Sequence, residues 1–95
     1  MKLHVKTGSQ SCHVIVNIKL DGFVLLKLMD NDERFMDLLK GITYTFEWFV
    51  FTGPDEGHAD IFAEVIPPTE AFPLLHIEKD YPAGSRDGNL FDFTL

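Results

Sequence analysis

The alternation of apolar and polar residues between Cys12 and Leu20 limits the fold of this chain more than any other sequence feature. The apolar set comprises Cys12, Val14, Val16, Ile18 and Leu20, and the residues between them are His13, Ile15, Asn17 and Lys19. A period of two is that of a β-strand with one face in a core. Asp21-Gly22 follows directly and predicts a type I′ hairpin turn, in which both central residues have positive φ. The next strand is expected at Phe23–Met29.

The same period continues along the chain and predicts about eight short strands in all. The other strands are expected at 2–6, 35–39, 42–52, 58–66, 74–79 and 90–95, with a turn at 7–11 and a loop at 80–89. Short strands separated by regular turn signals are typical of a β-sandwich, and no segment has the 3.6-residue period of a helix. We therefore expect an all-β fold, an antiparallel β-sandwich that forms one domain over residues 1–95. Its core should contain Val14, Val16, Ile18, Leu26, Tyr44, Phe46, Trp48, Ile61 and Ala63.

The segment from Leu38 to Trp48 resembles part of immunoglobulin-like domains. Leu38, Gly41 and Tyr44 follow the Leu-x-x-Gly-x-Tyr entry to a late strand of those domains, except that two residues rather than one separate Gly41 from Tyr44. The resemblance implies an immunoglobulin-like sandwich. It implies no activity, because many unrelated functions share one fold.

Charge and cysteine content narrow the classes of partner. The 95 residues include 15 acidic and 8 basic side chains, for a formal net charge of −7. Phosphate binding needs clustered Lys and Arg, so we expect no nucleic-acid partner. The apolar runs are too short to span a bilayer and the N-terminal residues lack a signal-peptide core, so we expect no membrane partner. The sequence leaves the location of the protein unknown, with the cytoplasm as the default. Cys12 is the single cysteine and is expected to be a buried, unreactive side chain.

A second apolar set occupies positions that should face solvent. A sandwich strand normally has one apolar and one polar face, yet large apolar residues replace part of the polar face in nearly every central strand. This set consists of Ile15, Phe23, Leu25, Met29, Phe49, Phe51, Phe62 and Ile66. Contiguous apolar patches on soluble proteins mark interaction sites, so these residues are predicted to form an interface.

Three explanations of the second apolar set are open from the sequence. A β-bulge near Trp48 would exchange the two faces of that strand, with loops or termini of the chain covering Phe23 and Leu25. A protein interface, natural or engineered for assembly, would bury the set against another chain. A ligand platform would stack the aromatic rings on a sugar or another flat surface.

Candidate chemical sites are few. Asp30, Asn31, Asp32 and Glu33 offer the oxygen ligands that calcium prefers, but without the glycine and the terminal glutamate of an EF-hand loop. Carboxylates are also common in turns, and we interpret this segment as a solvated turn. The four histidines, at positions 4, 13, 58 and 76, have no zinc-like spacing. We therefore expect no enzyme activity, no cofactor and no resident metal.

The sequence thus favours a non-catalytic domain that binds protein through an apolar outer sheet face, with a homo-oligomer as the first expectation. The alternative is a small carbohydrate-binding module that uses exposed aromatic rings, with calcium at Asp30 and Asp32.

Overall fold

The computed structural model describes residues 1–69 and 73–95, which form eight antiparallel strands in two sheets. The strands are β1 (Lys2–Gln10), β2 (Cys12–Leu20), β3 (Phe23–Met29), β4 (Asp32–Asp37), β5 (Thr43–Thr52), β6 (Gly57–Ile66), β7 (Leu75–Tyr81) and β8 (Arg86–Thr94). One sheet has the order β4-β1-β6-β7 and the other has the order β3-β2-β5-β8. The predicted all-β sandwich is confirmed.

The two halves of the chain have equivalent connectivity. In the first half, β1 and β4 lie side by side in one sheet, while the β2–β3 hairpin belongs to the other sheet. In the second half, β5 and β8 lie side by side, and the β6–β7 hairpin crosses to the sheet that contains β1. As a result β4 and β8 occupy corresponding edges, and each has a neighbour on one side only.

The hairpin turn between β2 and β3 has the geometry that its sequence predicts. Asp21 and Gly22 have φ values of 50° and 81°, so both central residues are left-handed as a type I′ turn requires. The strands that it joins begin and end where the alternation indicates. Next to the turn, the register between β2 and β3 shifts between Ile18 and Lys19, because Ile18 faces Leu26 while Lys19 faces Val24.

Two predicted connections are wrong. The expected turn at 7–11 is strand up to Gln10, because β6 pairs with β1 along its whole length and holds these small polar residues extended. The change of direction falls on Ser11 alone, which has a φ of 57°. The expected loop at 80–89 is also mostly strand, since β7 ends at Tyr81 and β8 starts at Arg86.

The core lies between the sheets and matches the predicted set closely. Of the nine predicted core residues, all but Leu26 are buried, and Leu26 is partly buried against the same cluster. Trp48 is 8% exposed, and its strand keeps one register with β2 and with β8 throughout. The explanation that invoked a β-bulge near Trp48 is therefore wrong. Cys12 is partly buried, and its thiol donates to the carbonyl oxygen of His58 at 3.3 Å.

Candidate interaction surface

A row of apolar side chains crosses three neighbouring strands on the outer face of the sheet β3-β2-β5-β8. In register, Met29 faces Ile15 and Ile15 faces Phe49. Residues opposite each other on antiparallel strands share a face, so the three side chains form one row. Met29 is 54% exposed and Phe49 is 42% exposed. The pairing of three strands thus forms the row, although its members are far apart in sequence.

Two further apolar side chains adjoin this row. Phe51 lies two residues beyond Phe49 on the same face, faces His13 in register and is 37% exposed. Leu90 faces Glu47 from the edge strand β8 and is 57% exposed. We call Ile15, Met29, Phe49, Phe51 and Leu90 the apolar patch. Leu90 was missed from the sequence because β8 was predicted to begin only there, which hid the alternation of Arg86, Gly88, Leu90 and Asp92.

Gly88 completes the row at the sheet edge, because it leaves room for the ring of Phe49. Gly88 faces Phe49 in register. A Cβ atom at position 88 would lie 3.0 Å from Cδ1 of Phe49 and 2.8 Å from the carbonyl oxygen of Trp48. Both distances are shorter than ordinary contacts, so the close approach of β5 and β8 at this point depends on glycine.

Charged and polar groups border the apolar patch. Glu47 accepts hydrogen bonds from Asn17 Nδ2 at 3.1 Å and from Lys19 Nζ at 3.2 Å. The bond from Lys19 lowers the pKa of Glu47, against an opposing effect of burial and with further help from Asn17. On the other side of the patch, the His13 ring lies 5.2 Å from that of Phe51. An apolar centre with a polar border is the anatomy of a protein interface.

The register shift between β2 and β3 moves Phe23 and Leu25 away from their predicted positions. Leu25 has no partner in the register and lies exposed at the shift between Ile18 and Lys19. Phe23 faces Leu20, a core-facing position, and so shares the inner rather than the outer face at the hairpin end. It is 75% exposed, and no loop or terminus covers it among the residues that the structure describes.

Phe62 and Ile66 belong to the opposite surface of the molecule. In register Phe62 faces Lys6 and Ile66 faces Lys2, on the outer face of the sheet β4-β1-β6-β7. The predicted interface set is therefore divided between two surfaces separated by the core. Four of its members, Ile15, Met29, Phe49 and Phe51, are brought together.

The second outer face is a network of histidines and carboxylates rather than an apolar row. Nδ1 of His4 lies 2.9 Å from Glu64 and its Nε2 lies 2.7 Å from Glu33. Carboxylates only accept, so both ring nitrogens can donate only when the imidazole is protonated. Burial lowers the pKa of His4, but the bonds to Glu64 and Glu33 outweigh it and the pKa is raised overall. The ring of Phe35 stacks on His4 at 4.4 Å.

The remaining histidines of this face also contact carboxylates. His58 Nδ1 lies 2.7 Å from Asp80, and this hydrogen bond, with the charges of nearby carboxylates, raises the pKa of His58. His76 Nε2 lies 3.9 Å from Asp60. The carboxylates thus interact with histidines of neighbouring strands. Within residues 1–69 and 73–95, no group of three or more His, Cys, Asp or Glu side chains is placed to hold a metal ion.

The acidic segment bonds to its own chain. Only Asp30 and Asn31 connect β3 to β4, because Asp32 and Glu33, predicted as part of the turn, are the first residues of β4 and pair with β1. Asp30 Oδ1 accepts from the backbone N–H of Val14 at 3.2 Å. Asn31 accepts from the N–H of Ser9 at 3.0 Å and donates to the carbonyl oxygen of Ser9 at 3.3 Å. Asp32 Oδ1 accepts from the N–H of Glu33 at 2.8 Å. These bonds fasten the connection between the two sheets, which is the role of a structural turn.

Comparison of the chain with protein-family models, with curated proteins and with solved structures finds no match. The described part of the chain contains no helix long and apolar enough to cross a membrane.

Proposed function

We propose that this chain is a non-catalytic protein-interaction domain that self-associates through the outer face of the sheet β3-β2-β5-β8. The observation that carries the proposal is the apolar row of Met29, Ile15 and Phe49, which pairing places side by side on three strands. Phe51 and Leu90 widen the row into the apolar patch. Patches of this kind on soluble proteins mark interaction sites.

The chemistry of the patch favours a protein partner over a sugar. Three of its five members are aliphatic, and aliphatic side chains offer a sugar ring no flat surface to stack on. Phe49 and Phe51 are each more than half covered by their neighbours. The calcium that the carbohydrate alternative invoked would have to share the carboxylates of Asp30 and Asp32 with hydrogen bonds from backbone N–H groups.

The patch by itself supports weak association. Full burial of a large apolar side chain contributes about 1.5–3 kcal/mol. The members of the patch are already about half covered, so five of them reach only the lower end of the association cost of about 4–15 kcal/mol. We therefore expect a dimer that dissociates on dilution, with additional contacts beyond the patch.

The immunoglobulin-like character of the sandwich is a further part of the proposal. Tyr44 is buried, and its hydroxyl accepts a hydrogen bond from the N–H of Leu39 at 2.9 Å. A tyrosine that bonds to the backbone a few residues upstream is the tyrosine corner of immunoglobulin-like domains. The order of strands departs from that fold, since β1 and β2 lie in different sheets.

Sedimentation velocity over a range of protein concentrations tests the self-association. The wild-type chain should show a sedimentation coefficient that rises with concentration. The double variant Phe49→Glu/Phe51→Lys changes the patch but not the net charge, and it should remain a folded monomer with an unchanged far-UV circular dichroism spectrum.

The matched control is Phe35→Lys/Ile66→Glu, which makes the same exchange of charges on the opposite sheet. This variant should associate like the wild type. A wild-type chain that stays monomeric at every concentration would contradict the proposal, as would a control variant that loses association while the patch variant keeps it.

A further inference from the structure

The free edge of β8 differs from the other three sheet edges in its lack of protection. β4 carries four charged residues among six, and β7 contains the charged run Glu78, Lys79 and Asp80. β3 is interrupted by the register shift opposite Ile18 and Lys19. β8 is nine residues long, and its centre from Gly88 to Phe91 is uncharged. Charges and bulges are the devices that prevent edge strands from pairing, and the centre of β8 has neither.

Hydrogen bonds identify which backbone groups of β8 point away from the sheet. The carbonyl oxygens of Ser85 and Leu95 accept from Thr52 and Gly41, on the side of β5. The N–H groups of Gly88 and Leu90 instead bond to side chains of the preceding residues, Asp87 and Asn89. N–H and C=O groups alternate between the two sides of an antiparallel strand. Arg86, Gly88, Leu90 and Asp92 therefore direct their backbone groups to the free edge.

We propose that β8 pairs antiparallel with β8 of a second copy of this chain, in a register centred on Asn89, and so joins two four-stranded sheets into one of eight strands. This inference rests on the proposed self-association and adds an edge contact to it, with Leu90 and Phe49 of the apolar patch near the junction. Ile15 and Met29, on β2 and β3, lie two and three strands away from β8. Pairing about Asn89 places Arg86 opposite Asp92 of the second copy, and Gly88 opposite Leu90. By symmetry each of these pairs occurs twice.

Charge and shape both favour this register. Arg86 and Asp92 lie on the same outer face of β8. The twofold axis places Arg86 of each copy opposite Asp92 of the other, so two pairs of opposite charge form across the junction. Among residues 1–69 and 73–95, Arg86 forms no salt bridge within the chain. Leu90 of each copy would lie over Gly88 of the other, where no side chain separates it from the ring of Phe49. The pairing thus extends the apolar patch across the junction.

The hydrogen bonds of the edge would be exchanged rather than lost. The N–H groups of Gly88 and Leu90 would release the side chains of Asp87 and Asn89 and donate to carbonyl oxygens of the second copy. The two Asn89 residues would face each other as a pair without mutual backbone hydrogen bonds, in which the Cα atoms lie about 4.5 Å apart. That separation is within the range that a disulfide spans.

Disulfide crosslinking tests the register directly. In a Cys12→Ala background, the Asn89→Cys variant should form a covalent homodimer under mild oxidation. The matched control is Asp87→Cys, two residues along the same strand and outside the apolar patch, which should crosslink at least about ten times more slowly because the register places it opposite Phe91. Equal rates for the two variants, or a faster reaction of Asp87→Cys, would overturn the proposed register.

A charge exchange gives a second, independent test by sedimentation. Arg86→Glu and Asp92→Lys alter the net charge in opposite directions, so an effect of net charge alone would weaken association in one and strengthen it in the other. The pairing predicts that each single variant associates several-fold more weakly and that the double variant recovers the wild-type dissociation constant. Failure of the double variant to recover would contradict the pairing.

Asp92 also accepts a hydrogen bond from Thr45 Oγ1 at 2.6 Å, so folding of each variant is checked by circular dichroism. If Asp92→Lys does not fold, Asp92→Asn retains an acceptor for Thr45, and it should also weaken association. Loss of association in Phe49→Glu/Phe51→Lys, with no Asn89→Cys crosslink and no recovery in the charge exchange, would sustain the proposed function and reject the β8 pairing. A monomeric wild type would reject both.

Discussion

At the scale of single residues, His4 is a side chain whose protonation the fold influences through two direct contacts. Its two ring nitrogens lie 2.9 Å and 2.7 Å from the carboxylates of Glu64 and Glu33, which come from strands on either side of β1. The folded chain therefore favours the imidazolium form. Because the pKa of His4 is raised from its ordinary value of 6.5, the contacts with Glu64 and Glu33 stabilise the folded state below pH 6.5.

This stabilisation should disappear as the pH rises through the raised pKa of His4. We expect His4→Gln to lower the free energy of unfolding more at pH 6 than at pH 8.5, as measured by urea denaturation at both values. The pKa of His58 is raised as well. The variant is therefore compared with the wild type at each pH, because His58 contributes equally to both proteins. An equal loss at the two pH values would mean that His4 contributes by packing against Phe35 and not by its charge.

At the scale of strands, the sequence predicts the side of each strand that faces the core better than it predicts the sheet that each strand joins. Phe49 and Phe62 both occupy outward positions in the alternation, and both face solvent. Long-range pairing places β5 and β6 in different sheets, so the two rings lie on opposite surfaces. A period of two in the sequence does not indicate which sheet a strand joins. For this reason the residues of the predicted interface lie on two surfaces.

Turn signals were informative where the backbone needs a rare conformation. Asp21-Gly22 is a turn because both residues adopt positive φ, which few residue pairs tolerate. Thr7, Gly8 and Ser9 looked equally turn-like in composition, yet their pairing with β6 keeps them extended. Small polar residues permit a turn without requiring one, and only tertiary pairing decides between the two.

Gly88 gives a test of the contact between β5 and β8. A methyl group there would approach the carbonyl oxygen of Trp48 to 2.8 Å, and backbone atoms cannot move away cheaply. We expect Gly88→Ala to cost about 1–3 kcal/mol of stability. Gly53→Ala is the control, because a Cβ at position 53 meets no atom within 4 Å, and its stability should change little. Equal losses of stability for Gly88→Ala and Gly53→Ala in urea denaturation would contradict the close packing of β8 on Phe49.

The connection between β3 and β4 gives a test of the carbohydrate and calcium alternative. Oxygens of Asp30, Asn31 and Asp32 accept hydrogen bonds from backbone N–H groups. We therefore expect the melting temperature to be the same in EDTA and in millimolar calcium. A ligand that binds only the folded chain must raise its stability, so a calcium-dependent rise would show that this segment is a binding site.

At the scale of the whole molecule, association must overcome the repulsion between two chains of charge −7. The range of that repulsion falls from roughly 30 Å at 0.01 M salt to roughly 10 Å at 0.1 M, while apolar burial acts only on contact. The dissociation constant measured by sedimentation should therefore fall as salt rises over this range. A dissociation constant that rises with salt would mean that attraction between Arg86 and Asp92 contributes more to the salt dependence than the net charge and the apolar patch do.

The most direct measurement of the central claim is a concentration series of ¹⁵N-resolved NMR spectra, because it identifies which of the two outer faces makes contact. We predict that shifts with concentration cluster at Ile15, Met29, Phe49 and Phe51 and along β8, while His4 and Phe62 on the opposite sheet remain unchanged. Changes centred on His4 and Phe62, or spectra that do not vary with concentration, would contradict self-association through the apolar patch.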